Sequence, residues 1–310
     1  VDSLTVLPEL ALLPVADGEN LEKGLAQFER ELSNGGSRAT AHDALNAYVA
    51  TVNEACRMLR GKISTEDLHR WVLTPRYQLL TSGDLPGPQI WSTLQVELDD
   101  RKAELQALLE LMAAARSRWE GLRLVVMDTS AFYQLPTTLD TLGGPAQVRA
   151  QVTGLAADQR LRLLVPMVVV DELDRLKENN DQQRRWRAGQ TIRILHDQLD
   201  GATPSGLGDH VSIEVLVDHP RHKRLPLEDD EVLDRALLVK MLSRGQVAVM
   251  SGDWGQLWRA KALGLDAIAL PSRRHQPEFE AGVDEPPPAP PRKPRAAVKP
   301  PAEGPASDSL

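Results

Sequence analysis

Acidic residues recur at the ends of apolar runs in this 310-residue chain. Asp128 closes LRLVVMD, Asp171 and Glu172 follow the apolar stretch of LLVPMVVVDELDRLK where a helix is expected to begin, Asp229 and Asp230 open PLEDDEVLDRALL, and Asp253 follows VAVMSG. One acid at a helix start offsets the helix dipole, and one aspartate can serve as an N-cap. Neither role accounts for four such places, because Ser, Thr or Asn would cap equally well and carboxylates gathered on one edge repel each other. Something positive must neutralise them. Hard oxygen ligands without histidine or thiolate partners suit Mg2+ or Mn2+ better than zinc. With such ions, which activate water and screen phosphate charge for in-line attack, the chemistry that follows most directly is phosphodiester hydrolysis. Thr129, Ser130 and Ser251 are hydroxyls placed to orient a carboxylate, and the same residues serve equally as turn and cap residues. Asp174 reads as a solvated helix residue.

To meet, these acids need a scaffold that delivers each of them to one edge. LRLVVMD, LRLLVP, VSIEVLVD, QVAVM and DAIALP are short apolar runs of strand length, with helical stretches between most of them. Strand alternating with helix predicts a parallel sheet, and runs apolar on both faces predict helices on each side, a three-layer α/β/α domain over residues 121–274. Ligands of such sheets sit beyond the carboxyl ends of the strands, where Asp128 arrives. Residues 1–120 read as a helical region. Leu45, Tyr48, Val49, Val52, Cys56 and Leu59 share one face, as do Leu94, Leu98, Leu105, Leu108, Leu109 and Met112. The second helix is expected from about Gln89 to Arg118, after Gly83, Pro86, Gly87 and Pro88 break the pattern, with Glu97 and Arg101 as a supporting pair four apart. Residues 275–310 are proline-rich and poor in bulky apolar residues, which predicts a disordered tail, with Arg292, Lys293 and Arg295 in it.

The ordered set VVMDTSAF, VPMVVVDELDRLK, DDEVLDRALL and MSGDWG, across roughly Leu122 to Pro271, resembles the PIN-domain nuclease family. By that resemblance the catalytic and metal-holding carboxylates fall on Asp128, Glu172, Asp229 and Asp253, with Asp230 the alternate to Asp229 and Asp171 the competitor to Glu172. A further acid sometimes found after Asp253 is replaced by Trp254 and Gly255. The resemblance implies a metal-dependent endoribonuclease that uses Mg2+ or Mn2+, cuts single-stranded RNA, and leaves a 3′-hydroxyl and a 5′-phosphate. The alternative is a PIN-like RNA-binding or regulatory protein with weak or absent turnover. A phosphotransfer domain using Asp128 as nucleophile is a poorer match, since a haloacid-dehalogenase-type phosphatase wants a second aspartate where Ser130 stands.

A nuclease also needs cations for the phosphate backbone. Candidates are Arg221, Lys223 and Arg224 in RHKR, Arg184, Arg185 and Arg187 in RRWR, and Arg259 with Lys261. Trp254 and Trp258 could stack on a base, although Trp258, at helical spacing, reads better as a core residue. A net charge of −8 excludes a protein that coats nucleic acid by bulk electrostatics. The acidity sits in residues 1–120 and in the tail, which suggests that the first region competes with RNA for a basic rim. The lone Cys56 leaves no intrachain disulfide or multi-cysteine metal site and points to a reducing, cytoplasmic setting. No apolar stretch approaches a membrane span, and VDSLTVLPEL lacks the basic start of a signal peptide. The amphipathic helices of residues 1–120 are the expected surface for a homo-oligomer or protein partner.

Overall fold

The computed structural model describes residues 4–10, 17–34, 40–135, 139, 144–178, 180–199, 206–208 and 210–270. The proline-rich segment at 275–310 lies outside them. The five apolar runs form strands β2 (Arg123–Met127), β3 (Leu161–Pro166), β5 (Val211–Val217), β6 (Val247–Ser251) and β7 (Asp266–Ala269). Two short strands join them, β1 (Leu4–Val6) and β4 (Gly206–Gly208). The sheet order is β1-β5-β3-β2-β6-β7, parallel throughout, with β4 antiparallel against the start of β5. Side chains of β2, β3, β5 and β6 are almost all buried, as expected for strands covered on both faces, while the edge strand β7 is half open.

From β2 the chain steps through β3 to β5 on one side, and then returns to lay β6 and β7 on the other. The order therefore reverses between β2 and β6. Ligand crevices of open parallel sheets form at such a reversal, outside the carboxyl ends of the strands. Asp128 follows β2 there, and Asp253 follows β6.

Helices α6 (Thr129–Gln134), α7 (Gly144–Gln151), α8 (Met167–Leu176), α9 (Gln182–Leu199), α10 (Glu228–Ser243) and α11 (Trp254–Ala262) flank the sheet. One expectation fails at α8. The helix starts at Met167, directly after Pro166, so Asp171 and Glu172 lie in its second turn and not at its start. Its first turn is the β-branched run Val168 to Val170, of which Val168 and Val169 are buried. An apolar run of this length cannot be told from a buried helical turn by periodicity.

The amino-terminal region contains α1 (Gly18–Asn34), α2 (Ala41–Leu59), α3 (Thr65–Trp71), α4 (Pro75–Thr81) and α5 (Gly87–Trp119). Thr40, Ser64 and Thr74 cap α2, α3 and α4 by accepting from backbone N–H groups three residues on. Pro86 sets the start of α5, whose buried stripe runs through Leu94, Leu98, Leu105, Leu108, Met112 and Ala115. Glu97 is fully buried and not a surface partner of Arg101. It accepts from the Tyr48 hydroxyl at 2.9 Å and from Thr74 Oγ1 at 2.5 Å, with Arg101 Nε at 3.6 Å. This carboxylate ties α2, α4 and α5 together.

The helical region is welded to the sheet. Leu4 of β1 pairs with Val215 of β5. Glu214 of β5, 1% exposed, accepts from Thr5 Oγ1, from Arg118 Nε at 2.8 Å, from Arg162 Nη1 at 3.1 Å and from Trp119 Nε1 at 3.4 Å. At the other end, Gly18 opens α1 against α10, where an added Cβ would lie 2.3 Å from the Met241 carbonyl oxygen. Among the described residues, no helix is long and apolar enough to cross a membrane.

Candidate active site

Asp128 sits at the end of β2 with 7% of its surface exposed, as the N-cap of α6. Its Oδ2 accepts from the Ser130 backbone N–H at 3.2 Å, from the Ser130 hydroxyl, and from Ser251 Oγ at 3.0 Å. All three donors reach the same oxygen. Oδ1 has no donor among the described residues, so one oxygen is fixed by three hydrogen bonds while the other is left without one. The two hydroxyls also tie the strand ends to each other: Ser130 Oγ accepts from the Gly252 N–H at 2.8 Å, and Ser251 Oγ from the Asp253 N–H at 2.9 Å. A Cβ at Gly252 would lie 1.9 Å from Gln134 Nε2, so any larger residue there would displace the Gln134 side chain.

Glu172, in the second turn of α8, accepts from Thr129 Oγ1 at 2.6 Å. Burial pushes its carboxyl above the ordinary range, and the nearby Glu228 and Asp128 carboxylates push the same way against the Thr129 hydrogen bond and Arg175. Its neighbour Asp171 goes elsewhere, accepting from Arg224 Nη1 at 2.5 Å. Asp174 is exposed and pairs with Lys177, a surface role.

Asp229 and Asp230 occupy the first turn of α10, whose N-cap is Leu227, so neither aspartate caps the helix. Burial raises the Asp229 carboxyl above its ordinary range, with Asp128 and Asp253 adding to the shift and Arg259 opposing it. Asp253 is the N-cap of α11, its Oδ1 accepting from the N–H of Gly255 at 2.7 Å and of Gln256 at 3.4 Å. Arg259, one turn further along α11, donates from Nη2 to Asp229 at 2.8 Å and places Nη1 3.4 Å from Asp230. Asp128, Glu172, Asp229 and Asp253 thus come from four different elements to one edge, where Asp229 is within electrostatic reach of Asp128 and Asp253, and Glu172 of Asp128.

Two further residues belong to this edge and carry no clear signal in the sequence. Glu228, at the start of α10, acts on Glu172 and is paired with Arg175. Its only sequence sign is the acidic run EDDE. The Tyr133 hydroxyl is enclosed without a hydrogen-bond partner among the described residues, and burial together with Glu172 pushes it up to about 12.

Can this set hold a divalent ion? The donors are all carboxylate oxygens, one Asp128 oxygen is undonated, and two members are held above their ordinary range, first by burial and then by neighbouring acids. That chemistry fits Mg2+ or Mn2+, which keep several waters and bind through one or two carboxylates. The oxygens are spread more widely than a closed cage. Among the described residues, the trio whose ligand atoms all lie within 4.8 Å of one another is Asp218, His222 and Glu231, after β5 and on α10. That trio is already neutralised. Arg235, 2% exposed, lies 3.3 Å from Glu231 and 3.9 Å from Asp218, and Glu231 also accepts from the Leu225 N–H at 2.8 Å and meets His222 Nε2 at 2.7 Å. It pins the 218–227 loop to α10.

Residues 125–270 match the family model described as the PIN domain. This part of the chain belongs to the PIN-domain family. The match spans all four acidic segments and the β2-to-β7 part of the sheet, and it makes this a nuclease-type fold. Comparison with curated proteins gave no match.

Cations around the PIN domain's acidic edge are largely committed to acids. Arg224 bridges Asp171 and Asp218, so it closes a loop instead of standing free for phosphate. Lys223 is exposed and 3.4 Å from Glu66 of α3, and Arg221 is exposed beside the same helix. Arg184, on α9, is exposed near Asp181 and acts on Tyr133, which sets it closest to the Glu172 side, while Arg185 is exposed on the same helix. Arg187 is not a phosphate ligand. It is 1% exposed and donates to the Leu135 carbonyl at 2.9 Å and the Phe132 carbonyl at 3.4 Å, closing the end of α6. Trp258 is not a core residue, since 67% of it is exposed.

Proposed function

We propose that this chain is a divalent-metal-dependent endoribonuclease that hydrolyses phosphodiester bonds of single-stranded RNA in the cytoplasm, leaving a 3′-hydroxyl and a 5′-phosphate. The observation that carries this reading is the arrival of carboxylates from four elements at the sheet reversal of a PIN domain, with Asp128 and Asp253 beside Asp229, and Asp128 beside Glu172. Asp128, Glu172, Asp229 and Asp253 would hold Mg2+ or Mn2+, with Asp230 as the alternate to Asp229. The ion supplies charge neutralisation of the phosphate and activation of water. The chain itself supplies orientation: Ser130 and Ser251 fix one oxygen of Asp128, and Thr129 fixes one oxygen of Glu172. Arg184, Arg185, Arg221 and Lys223 are the exposed side chains offered to the phosphate backbone, and Arg224 contributes by holding the loop that carries two of them.

A second reading, an RNA-binding PIN domain without turnover, draws on Arg259, which already neutralises Asp229 and Asp230. Cleavage of end-labelled single-stranded RNA with Mn2+ or Mg2+ separates the two. Hydrolysis that disappears with EDTA, with Asp128→Asn and with Asp253→Asn supports the nuclease. Retained binding without cleavage in the parent protein supports the second reading.

A further inference from the structure

The carboxylate cluster continues, along α11, into an aromatic surface with no role in the fold. Trp254 and Trp258 are 64% and 67% exposed, the two most exposed large apolar side chains among the described residues. Four residues apart on one helix, they share a face and lie about 6 Å apart along its axis. The opposite face does the packing, through the buried Gln256, Leu257 and Ala260. Lys261, three residues beyond Trp258, extends the exposed stripe, and α11 itself carries Arg259 and Lys261 but no acid. The stripe begins one residue after Asp253.

Leaving two indole rings in water forgoes burial that the core would reward, so an exposed pair of this kind marks a contact surface. Two tryptophans bury at most about 300–500 Å2, whereas a stable protein partner covers roughly 800 Å2 on each side. Their neighbours on the exposed side of α11 are Gly255, Ala262 and two cations, of which Arg259 is paired with Asp229 and Asp230 and Lys261 extends the stripe. Flat rings interleaved with positive charge suit unpaired bases on a phosphate backbone better than a second protein surface.

We propose that Trp254 and Trp258 form a base-stacking platform that receives the unpaired bases of a single-stranded nucleic acid beside the carboxylate cluster, with Lys261 facing its phosphates. The proposal rests on the hydrolytic reading of that cluster and adds the residues that select single strands. Bases in a duplex are already stacked and cannot reach the rings. A strand on the platform runs down α11, away from Asp253, so the platform holds nucleotides on one side of the scissile phosphate.

The test uses the full-length Asp128→Asn protein in Ca2+ buffer, titrated with a short labelled oligoribonucleotide in single-stranded and duplex form, reading anisotropy and tryptophan emission. The single strand is expected to quench the emission and the duplex to leave it unchanged. Adding Trp254→Ala or Trp258→Ala should weaken single-strand binding by about 5- to 150-fold each, the range of one stacked base. Phenylalanine at either position should retain part of the affinity. Failure of the Asp128→Asn protein to bind the single strand, equal binding by the alanine variants, or a dimer that the alanine variants convert to monomers each overturns the platform. If Mn2+ fails to support cleavage by the parent while binding still depends on both tryptophans, the hydrolytic reading falls and the platform stands. If RNA is cut but the alanine variants bind it as the parent does, the reverse holds.

Discussion

Arg259 of α11 donates to Asp229 of α10 at 2.8 Å, setting a guanidinium against one member of the carboxylate cluster. Arginine and divalent ion compete for the same charge. Removing the arginine, as in Arg259→Gln, is expected to tighten Mn2+ binding by about two- to fivefold, the range of an exposed ion pair. Calorimetric titration of the two proteins reads this. Weaker Mn2+ binding in the variant would show that Arg259 organises the cluster instead of competing for it.

Glu172 and Asp229 are both held above the ordinary carboxylate range, first by burial and then by neighbouring acids. Such groups favour the folded state fully only below their unfolded pKa, and the contribution is lost as the pH rises through the folded value. In the metal-free protein these two groups should therefore cost stability from the ordinary carboxylate range upward in pH, against the opposite contribution of the lowered Glu22. Glu172→Gln should remove part of that loss and melt above the parent at neutral pH in EDTA. Mn2+ should raise the melting temperature of the parent by mass action and that of Asp128→Asn by less. Thermal scans with and without metal decide it, and a Glu172→Gln protein less stable than the parent at neutral pH contradicts the assignment.

Thr129 fixes Glu172 through a 2.6 Å hydrogen bond that favours its ionised form. Thr129→Val keeps the shape and removes the donor. Activity is expected to fall about 10- to 100-fold, the usual effect of losing a group that orients a metal-binding carboxylate. The acid limb of the pH–rate profile should move to higher pH. A drop in rate with an unmoved acid limb would place the effect in packing alone.

Glu214 is a buried carboxylate between Arg118, Arg162, Trp119 and Thr5. Glu214→Ala takes a buried acceptor from the partly exposed Arg118 and Arg162, with an expected loss of about 1.5–3 kcal/mol, the range of hydrogen bonds to a charged group. A fragment of residues 121–270 lacks Thr5, Arg118 and Trp119 and leaves the Glu214 side of β5 without β1. It is expected to be expressed poorly or to unfold at lower denaturant than the full chain. A fragment as stable as the whole protein would show that the helical region is dispensable to the sheet.

The parts of this architecture that could be read from sequence are those with strong local signals. The five apolar runs had the length and flanking acids of covered parallel strands, and the stripe from Leu94 to Met112 had helical spacing over many turns. What escaped depends on distant partners. Three residues, Leu4 to Val6, are too few to show a period, and their strand identity comes only from pairing with Val215 to Val217. Val168 and Val169 favour strands by propensity, yet tertiary packing makes them a helical turn. Arg187 looked like a surface cation until the carbonyls ending α6 needed a donor. At the site, Asp128 and Asp253 could be assigned to strand ends from their position in the chain. The separation of Glu172 from Asp171 within α8, the enclosed Tyr133 hydroxyl and the exposure of Trp258 depend on which helix face meets which neighbour.

The pairing of Leu4 with Val215 also has a meaning in time. A chain made at about 5–20 residues per second emits its first strand roughly 10–40 s before the strand that receives it. The helical bundle can close early on the ribosome, because its contacts are local. Its strand β1 stays unpaired while β2 and β3 are made and finds its partner only once β5 has emerged, so this strand edge stands open through the synthesis of the first half of the nuclease-type fold.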